Sequence, residues 1–427
     1  MSDLREHAFS DLYEMSSGIS STPAQAGHGA PFLSFSTVFN NYFLPEVLPD
    51  LMNTSEFEQE SYSVKEGDIF LTRTSETVDE LGMSSVSLKD YPGATFSGFL
   101  KRLRPRAVGR TDPRFMAFYL RSPLFRKTMT NNAVMVLRAS LNEQIFSYLK
   151  LLLPDFGTQT SIGEFLHLLS TKVDLNNRTN TELEALAKTI YDYWFVQFDF
   201  PDTKGRPYKT SGGDMVWNEA LKRKIPSGWV AGALGDMLSM ERGVTYGKED
   251  LRSFADPSAF GVLRATNVNG NTIDLDDLVH INAQKVASEQ KISAFETLIV
   301  MSSGSKEHVG KNGIYYFKES VAFGAFCSKI VPDIQTRWYV GTLLQTGQFK
   351  SYISNQCLGT NINNLRNDHI CSFPIAKPSD AIALHFEETV APLYMRIANN
   401  TNENRELTQL RDWVLPLLMN GQVSVTC

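Results

Sequence analysis

From Ile162 the apolar positions fall in alternating steps of four and three: Ile162, Leu166, Leu169, Val173, Asn176, Asn180, Leu183, Ala187, Ile190 and Trp194. Eight of these ten are apolar, and a sustained period of 3.5 marks a helix that packs along one seam against another helix. Adding 224 gives Phe386, Val390, Leu393, Ile397, Asn400, Asn404, Leu407, Arg411, Val414 and Leu418, of which seven are apolar, with asparagine again at the two central places. Each seam covers 33 residues, or about 50 Å of helix at 1.5 Å per residue. Asparagine on a seam costs stability but fixes register. Asn176, Asn180, Asn400 and Asn404, flanked by Leu169, Val173, Leu183, Leu393, Ile397 and Leu407, are therefore expected to meet where two paired helices cross their middles. The competing arrangement buries each helix separately in its own domain. Pro392 predicts a kink in the second helix or a later start.

The helices belong to a longer repeat. Asp11–Ser20 reads against Asp236–Thr245, Leu33, Val38 and Asn41 against Leu263, Val268 and Asn271, and Asp68–Ser75 against Thr297–Gly304. Phe96-Ser97-Gly98-Phe99 reads against Phe323-Gly324-Ala325-Phe326, Pro105 against Pro332, Phe125 against Phe349, and Pro154 against Pro378. The offset drifts only between 224 and 230, as loop insertions would make it. Order of blocks, more than identity, makes this a tandem duplication.

The expected organisation follows. Residues 1–154 form a mixed domain, with strand-like runs at Ser61–Thr72 and Thr95–Leu103 and a helical run near Phe115–Met129. Residues 155–198 are a helix, and 199–228, with Pro201, Gly205, Pro207, Gly212, Gly213, Pro226 and Gly228, read as a linker. Residues 229–378 repeat the mixed domain and 379–420 the helix. The fold class is α+β: two similar mixed domains joined by two long antiparallel helices that form a coiled-coil spacer with an internal pseudo-two-fold repeat.

Composition changes this picture little, and charge changes it more. The 427 residues are 42% hydrophobic and 21% charged, which is globular. No run approaches the roughly 18 apolar residues of a membrane span. Met1–Glu6 has no basic patch leading into an apolar stretch, and Cys327, Cys357, Cys371 and Cys427 form no CxxC. A cytoplasmic chain without a secretory signal, disulfide scaffold or structural zinc is expected. The net charge of −6 hides an asymmetry. Residues 1–90 hold 4 Lys/Arg against 15 Asp/Glu, and residues 91–154 hold 11 against 2. Lys101, Arg102, Arg104, Arg106, Arg110 and Arg114 form its densest part. Such a stretch can neutralise phosphates or can be the outer face of a strand edge.

Catalytic constellations are scarce. Gly304–Asn312 resembles a phosphate loop, but five residues separate its first two glycines where four are needed, and Asn312 stands where Ser or Thr would hold magnesium. Asp202-Thr203-Lys204 has nuclease-like spacing but lies in the linker, where a surface turn is expected. There is no HExxH, GxSxG or glycine-rich dinucleotide loop, nor an Asn-Pro-Pro-aromatic tetrapeptide of the kind that grips a flipped base. The histidines have no ligand-like partners at short spacing, so no metal is expected.

Four stretches carry a family resemblance: Val64–Thr74; Leu263–Val268 with Ile273-Asp274-Leu275; Asn361–Leu365 leading to Phe373-Pro374-Ile375; and Ile225–Trp229. With the duplicated order of domains and helices, the chain resembles the specificity subunit of type I restriction-modification enzymes over nearly its whole length. Departures are Ser140-Leu141-Asn142, a reduced form of the Asn-rich turn, and Arg73 against Ser302 at matched positions.

The resemblance implies a non-catalytic chain in which each repeat is a target recognition domain for one half of a split DNA sequence. The paired helices would set the gap and dock two methyltransferase subunits, and two motor-nuclease subunits would complete the restriction complex. S-adenosylmethionine, ATP and magnesium would belong to those partners. Sequence is read by side chains in a groove while phosphate contacts position the domain. Candidate base-side loops are Arg73, Thr74, Ser75 and Thr77 in the first repeat, and Ser302, Ser303, Ser305 and Lys306 in the second. Segments Ser16–Ser21 and Glu241–Tyr246, with Thr245 and Tyr246, are further candidates. Lys101, Arg102, Arg104 and Arg106 are candidate phosphate contacts. From the residues alone, a stand-alone DNA-modifying enzyme with an unrecognised site and a bivalent coiled-coil adaptor that binds no DNA remain as other classes.

Overall fold

A computed structural model describes residues 4–75, 80–132, 139–140, 143–356 and 364–425. The chain folds as two compact units, one of Met1–Asp174 with Arg405–Cys427 and the other of Leu175–Asn404. Each contains one globular repeat and a part of both long helices, which run Phe156–Tyr191 and Asp380–Met419. The second helix starts twelve residues before Pro392 and passes through it, so the proline does not delay the start.

In the first unit a four-stranded antiparallel sheet has the order Tyr13–Ser17, Leu100–Pro105, Ile69–Thr72, Ser84–Val86. A second sheet places Ala26–Leu33 between Asp50–Met52 and Thr95–Phe96, the last pairing being parallel. The strand run expected from Ser61 begins only at Ile69. Before it, Glu56–Ser61 is a helix held by a reciprocal cap, in which Ser55 accepts from the Glu58 amide and Glu58 accepts from the Ser55 amide at 2.8 Å. The expected helical run is two helices, Pro113–Tyr119 and Pro123–Asn132. The break falls where Pro123 opens the second helix, a place at which its missing N–H costs nothing. Ile69, Leu71, Leu103 and Phe115–Leu120 form one buried core with Ile162 and Leu166 of the first long helix and Leu415 and Leu418 of the second. The seam residues of both helices thus serve this unit's interior.

The second unit repeats the plan. Its four-stranded sheet has the order Leu238–Arg242, Cys327–Pro332, Thr297–Val300, Asn312–Ile314. Its second sheet again contains a parallel pair, Val262↔Ala322 and Leu263↔Phe323, matching Phe32↔Thr95 and Leu33↔Phe96. The register of Leu238↔Pro332 through Arg242↔Ser328 mirrors that of Tyr13↔Pro105 through Ser17↔Lys101. A duplication that reproduces strand order, sense and register is one of folding units, and not only of words in the sequence.

Within this unit the two long helices run antiparallel. Asn176 Nδ2 donates to Asn404 Oδ1 at 2.8 Å and to Glu403 Oε2 at 2.8 Å. Asn400 Nδ2 donates to Asn180 Oδ1 at 2.8 Å, and Asn404 Nδ2 to Asn177 Oδ1 at 2.8 Å. Asn176 and Asn400 are almost fully buried, so pairing them satisfies amides that would otherwise be costly to bury. Further along, Tyr191 and Trp194 pack on Phe386 with ring centroids 6.1 and 5.7 Å apart.

The stretch 199–228, read as a linker, is folded. Met215–Asn218 pairs with Arg223–Pro226, and Phe200 stacks between Tyr208 and Trp229 at 4.6 and 5.3 Å. Its prolines and glycines make the turns, and its aromatic residues supply a core that a linker would lack.

One buried carboxylate locks the second long helix to its globular repeat. Glu387 accepts from the backbone N–H groups of Trp338 and Tyr339 at 2.9 and 2.8 Å, at the start of helix Arg337–Gln345. Burial raises its pKa from 4.5 to about 7, against the pull of those two N–H groups. Because the folded carboxyl keeps its proton to higher pH than the unfolded one, this group's contribution is fully present below about pH 4.5 and is lost as pH rises through about 7. The shift corresponds to about 3 kcal/mol across that window. Thermal melts of the unit containing Glu387 should show stability falling between those pH values, and Glu387→Gln should flatten the dependence. An unchanged pH profile in the variant would exclude Glu387 as its source.

Candidate nucleic-acid interface

At one end of each four-stranded sheet, three loops are tied together by backbone hydrogen bonds. In the first unit, Ile19 N–H donates to Phe96 O at 2.9 Å, Gly98 N–H to Ile19 O at 2.7 Å, and Arg73 N–H to Phe99 O at 2.8 Å. In the second, Val244 N–H donates to Phe323 O at 2.8 Å, Ala325 N–H to Val244 O at 3.0 Å, and Met301 N–H to Phe326 O at 2.8 Å. The construction is the same: one loop after the first sheet strand, one after the third, and the turn that enters the central strand.

This brings several sequence-selected residues together. Arg73 is exposed beside Phe99. Thr74 and Ser75 continue as a short strand paired with Ala139–Ser140, while Thr77 lies outside the described residues. In the second unit Thr245 and Tyr246 follow the Val244 bridge, and Ser302 donates its N–H to Phe326 O at 3.2 Å and forms a β-bridge with Asn364. Ser303 Oγ accepts from Ser305 N–H at 3.3 Å, and Ser305 and Lys306 are exposed at the loop's tip.

The basic run does not join them as expected. Lys101 is 6% exposed and donates to Ser17 Oγ at 2.7 Å. Arg102 is 9% exposed, donates to Ser63 O at 2.7 Å and lies over the Phe96 ring. Arg104 makes a two-pronged contact with fully buried Asp68, Nε–Oδ1 2.8 Å and Nη2–Oδ2 2.6 Å. Burial lowers the Arg102 pKa, while the hydrogen bond to Asp68 raises that of Arg104. These three side chains are turned inward, against the expectation of a phosphate-facing run. The second repeat gives the reason: Lys329, 7% exposed, donates to Lys291 O at 2.9 Å from the matching strand. A cation on the central strand bonded to a carbonyl of the segment leading to the next strand is part of the fold. Arg106 is exposed, but it sits at the opposite end of that strand and donates to Ser10 O.

Other motifs resolve as structure. Asn312, at the end of the loop resembling a phosphate cradle, is buried in a strand and donates to Leu344 O. Asp202 accepts from the amides of Lys204 and Arg206 in an exposed turn. Among the described residues no group of His, Cys, Asp and Glu is arranged to hold a metal ion, and no helix is long and apolar enough to cross a membrane.

The loop cluster also contains two residues that the sequence reading passed over as site candidates. Phe99 and Phe326 are 65% and 68% exposed. Their signal was present in the repeat, since both occupy the same place in matched tetrapeptides, but an aromatic residue in such a run reads by default as core.

Residues 20–185 match the type I restriction modification DNA specificity domain. The type I restriction enzyme StySPI specificity subunit of Salmonella potsdam is 28% identical over 206 residues, covering 47% of this chain and 44% of that one. The EcoKI specificity subunit of Escherichia coli (strain K12) is 33% identical over 144 residues, covering 34% and 31%. In these matches the chain spans less than half the length of either relative. The crystal structure of a type I restriction-modification system S subunit from M. genitalium superposes with a TM-score of 0.58 at 13% identity, covering 98% of this chain and 96% of that one, which establishes a shared fold. Residues 20–185 are thus similar to the type I restriction modification DNA specificity domain, part of the chain is similar to specificity subunits of type I restriction enzymes, and the fold is shared with an S subunit of such a system.

Proposed function

We propose that this chain is the sequence-reading subunit of a type I restriction-modification system. Domains 1–154 and 229–378 each read one half of a split DNA target, and the paired helices set the spacing between the halves. The observation that carries the reading is the duplicated loop cluster: one backbone frame presenting different side chains, with exposed Arg73 in one unit and, at the place whose N–H meets the matching phenylalanine carbonyl, Met301 followed by Ser302 in the other, one residue off the match read from the sequence. A protein that reads two different half-sites needs that combination. Arginine suits guanine and hydroxyl side chains suit several base edges, while Lys306 at the loop tip supplies exposed positive charge for phosphates.

Chemistry belongs to partners in this proposal. Two methyltransferase subunits bring S-adenosylmethionine, and two motor-nuclease subunits bring ATP and magnesium. The chain itself neither methylates nor cuts, and it works in the cytoplasm, where its DNA is. Outward apolar side chains on the long helices offer docking area: Leu175 and Leu186 in one unit, Leu410 and Trp413 in the other, all at least 42% exposed.

The test is a domain exchange. Replacing 229–378 with the equivalent domain of another specificity subunit should change one half of the methylated sequence in cells and leave the other intact. Change in both halves, or in neither, would contradict two independent readers.

A further inference from the structure

We propose that Phe99 and Phe326 are apolar wedges that enter the DNA base stack, one in each half-site. The inference rests on the reading of the chain as a DNA-binding subunit and extends it from which loops face DNA to what two particular side chains do there.

Both residues occupy a turn whose backbone is held on every side. Phe99 N–H donates to Ser97 Oγ at 3.2 Å and Phe99 O accepts from Arg73 N–H, while Leu100 N–H closes the turn on Ser97 O at 2.9 Å. Phe326 O accepts from the N–H groups of both Met301 and Ser302, and Cys327 N–H closes the turn on Gly324 O at 2.9 Å. On either side the chain is buried: Phe96 and Leu100 in the first unit, Phe323 and Cys327 in the second. An exposed ring on so fixed a frame is already in its working position, and little entropy is lost when it engages.

The comparison between repeats says what kind of contact it makes. The surrounding residues differ: Ser97 against Gly324, Gly98 against Ala325, and Arg73 against Met301, whose N–H groups meet the Phe99 and Phe326 carbonyls. The phenylalanine does not. Within the DNA reading, residues that differ between units are those that read base identity. A residue kept in both has a role that does not depend on which base it meets. Stacking is such a role, because every base has a π-face, and Phe is among the side chains that wedge apart base steps and kink a duplex. A phenyl ring has no hydrogen-bonding group with which to do anything more specific.

The test uses the full-length chain co-purified with the methyltransferase subunits of its host, and the duplex that this complex selects from a random-sequence pool. With 2-aminopurine placed in turn along that duplex, fluorescence should rise at one step in each half on binding, reporting lost stacking. Phe99→Ala should abolish the rise in one half only and weaken binding about tenfold, by the same factor whichever base of that half is changed. Phe326→Ala should do the same in the other half. Phe99→Leu, which keeps an apolar wedge, should retain most of the signal, and melting temperatures should be unchanged because both rings are exposed. Unchanged affinity and fluorescence in the alanine variants would overturn the proposal, as would lost methylation with DNA binding intact, which would place the rings against a protein partner. If the unmutated complex selects no duplex at all, the DNA reading fails and the wedge fails with it.

Discussion

Gly243→Ala should erase recognition of one half of the target and leave the other half unaltered. A Cβ at Gly243 would lie closer than 3.0 Å to the carbonyl oxygens of Gly324 and Phe323, and one at Gly18 would meet Ser97 O and Phe96 O in the same way. These are backbone atoms of a turn tied into its sheet, so neither partner can swing aside. The strand end must separate from the turn, breaking Val244 N–H to Phe323 O and Ala325 N–H to Val244 O in the second unit. Overpacking of this sort costs about 1–3 kcal/mol, and each backbone hydrogen bond lost adds about 1 kcal/mol. The sum, about 3–5 kcal/mol, is large for a loop frame that holds Thr245, Tyr246, Ser302 and Phe326 in place. Gly324→Ala is the control. Its Cβ would be 3.5 Å from the nearest atom, Leu263 O, an ordinary contact, and it should be tolerated. Methylation patterns in cells carrying each variant decide the matter: a two-part target still fully recognised by Gly243→Ala would show that the close approach of these loops is not needed for reading. Gly18→Ala should produce the reciprocal loss.

Why Gly18 and Gly243 matter was not legible in the sequence, although they are aligned in the repeat. A glycine required by close approach looks the same as one in an ordinary turn until the atoms it meets are known. The fold class was legible because two periodicities are one-dimensional. The seam from Ile162 and its copy from Phe386 specify long helices, and matched blocks such as Phe96–Phe99 and Phe323–Phe326 specify repeated domains. The repeat already implied antiparallel helices; the structure adds which residues face each other, Asn176 with Asn404 and Asn180 with Asn400, which spacing along one helix cannot supply. The basic run misled for a related reason. Lys101, Arg102 and Arg104 lie on a strand whose outer and inner faces alternate, yet the inward ones carry charge because Asp68 and carbonyl oxygens receive them. Charge counted along a chain does not reveal that a buried carboxylate has already used it.

The helices make the last and most geometric prediction. The asparagine pairs lie in the second unit, near its chain boundaries at Leu175 and Asn404. Inserting seven residues after Asn176 and seven after Asn400 places both insertions inside the asparagine box and keeps the 3.5-residue seam in phase. Each helix then grows by about 10 Å. Duplex DNA advances about 3.4 Å per base pair, so the gap between the two halves of the target should lengthen by at most about three base pairs. Each added pair also rotates one half-site against the other, and the domains must still face their grooves, so a smaller increase is consistent with a ruler. Five residues at the same points would instead throw Leu183 and Leu407 off the seam and set the asparagines against apolar neighbours. Their amides would be left without partners in a buried position, at about 1–3 kcal/mol each, and the helix pair should lose stability with the target spacing ill-defined. Sequencing the methylated sites in cells that carry the partner subunits reads both outcomes. A seven-residue insertion that stays active with an unchanged gap would mean that something other than these helices measures the DNA.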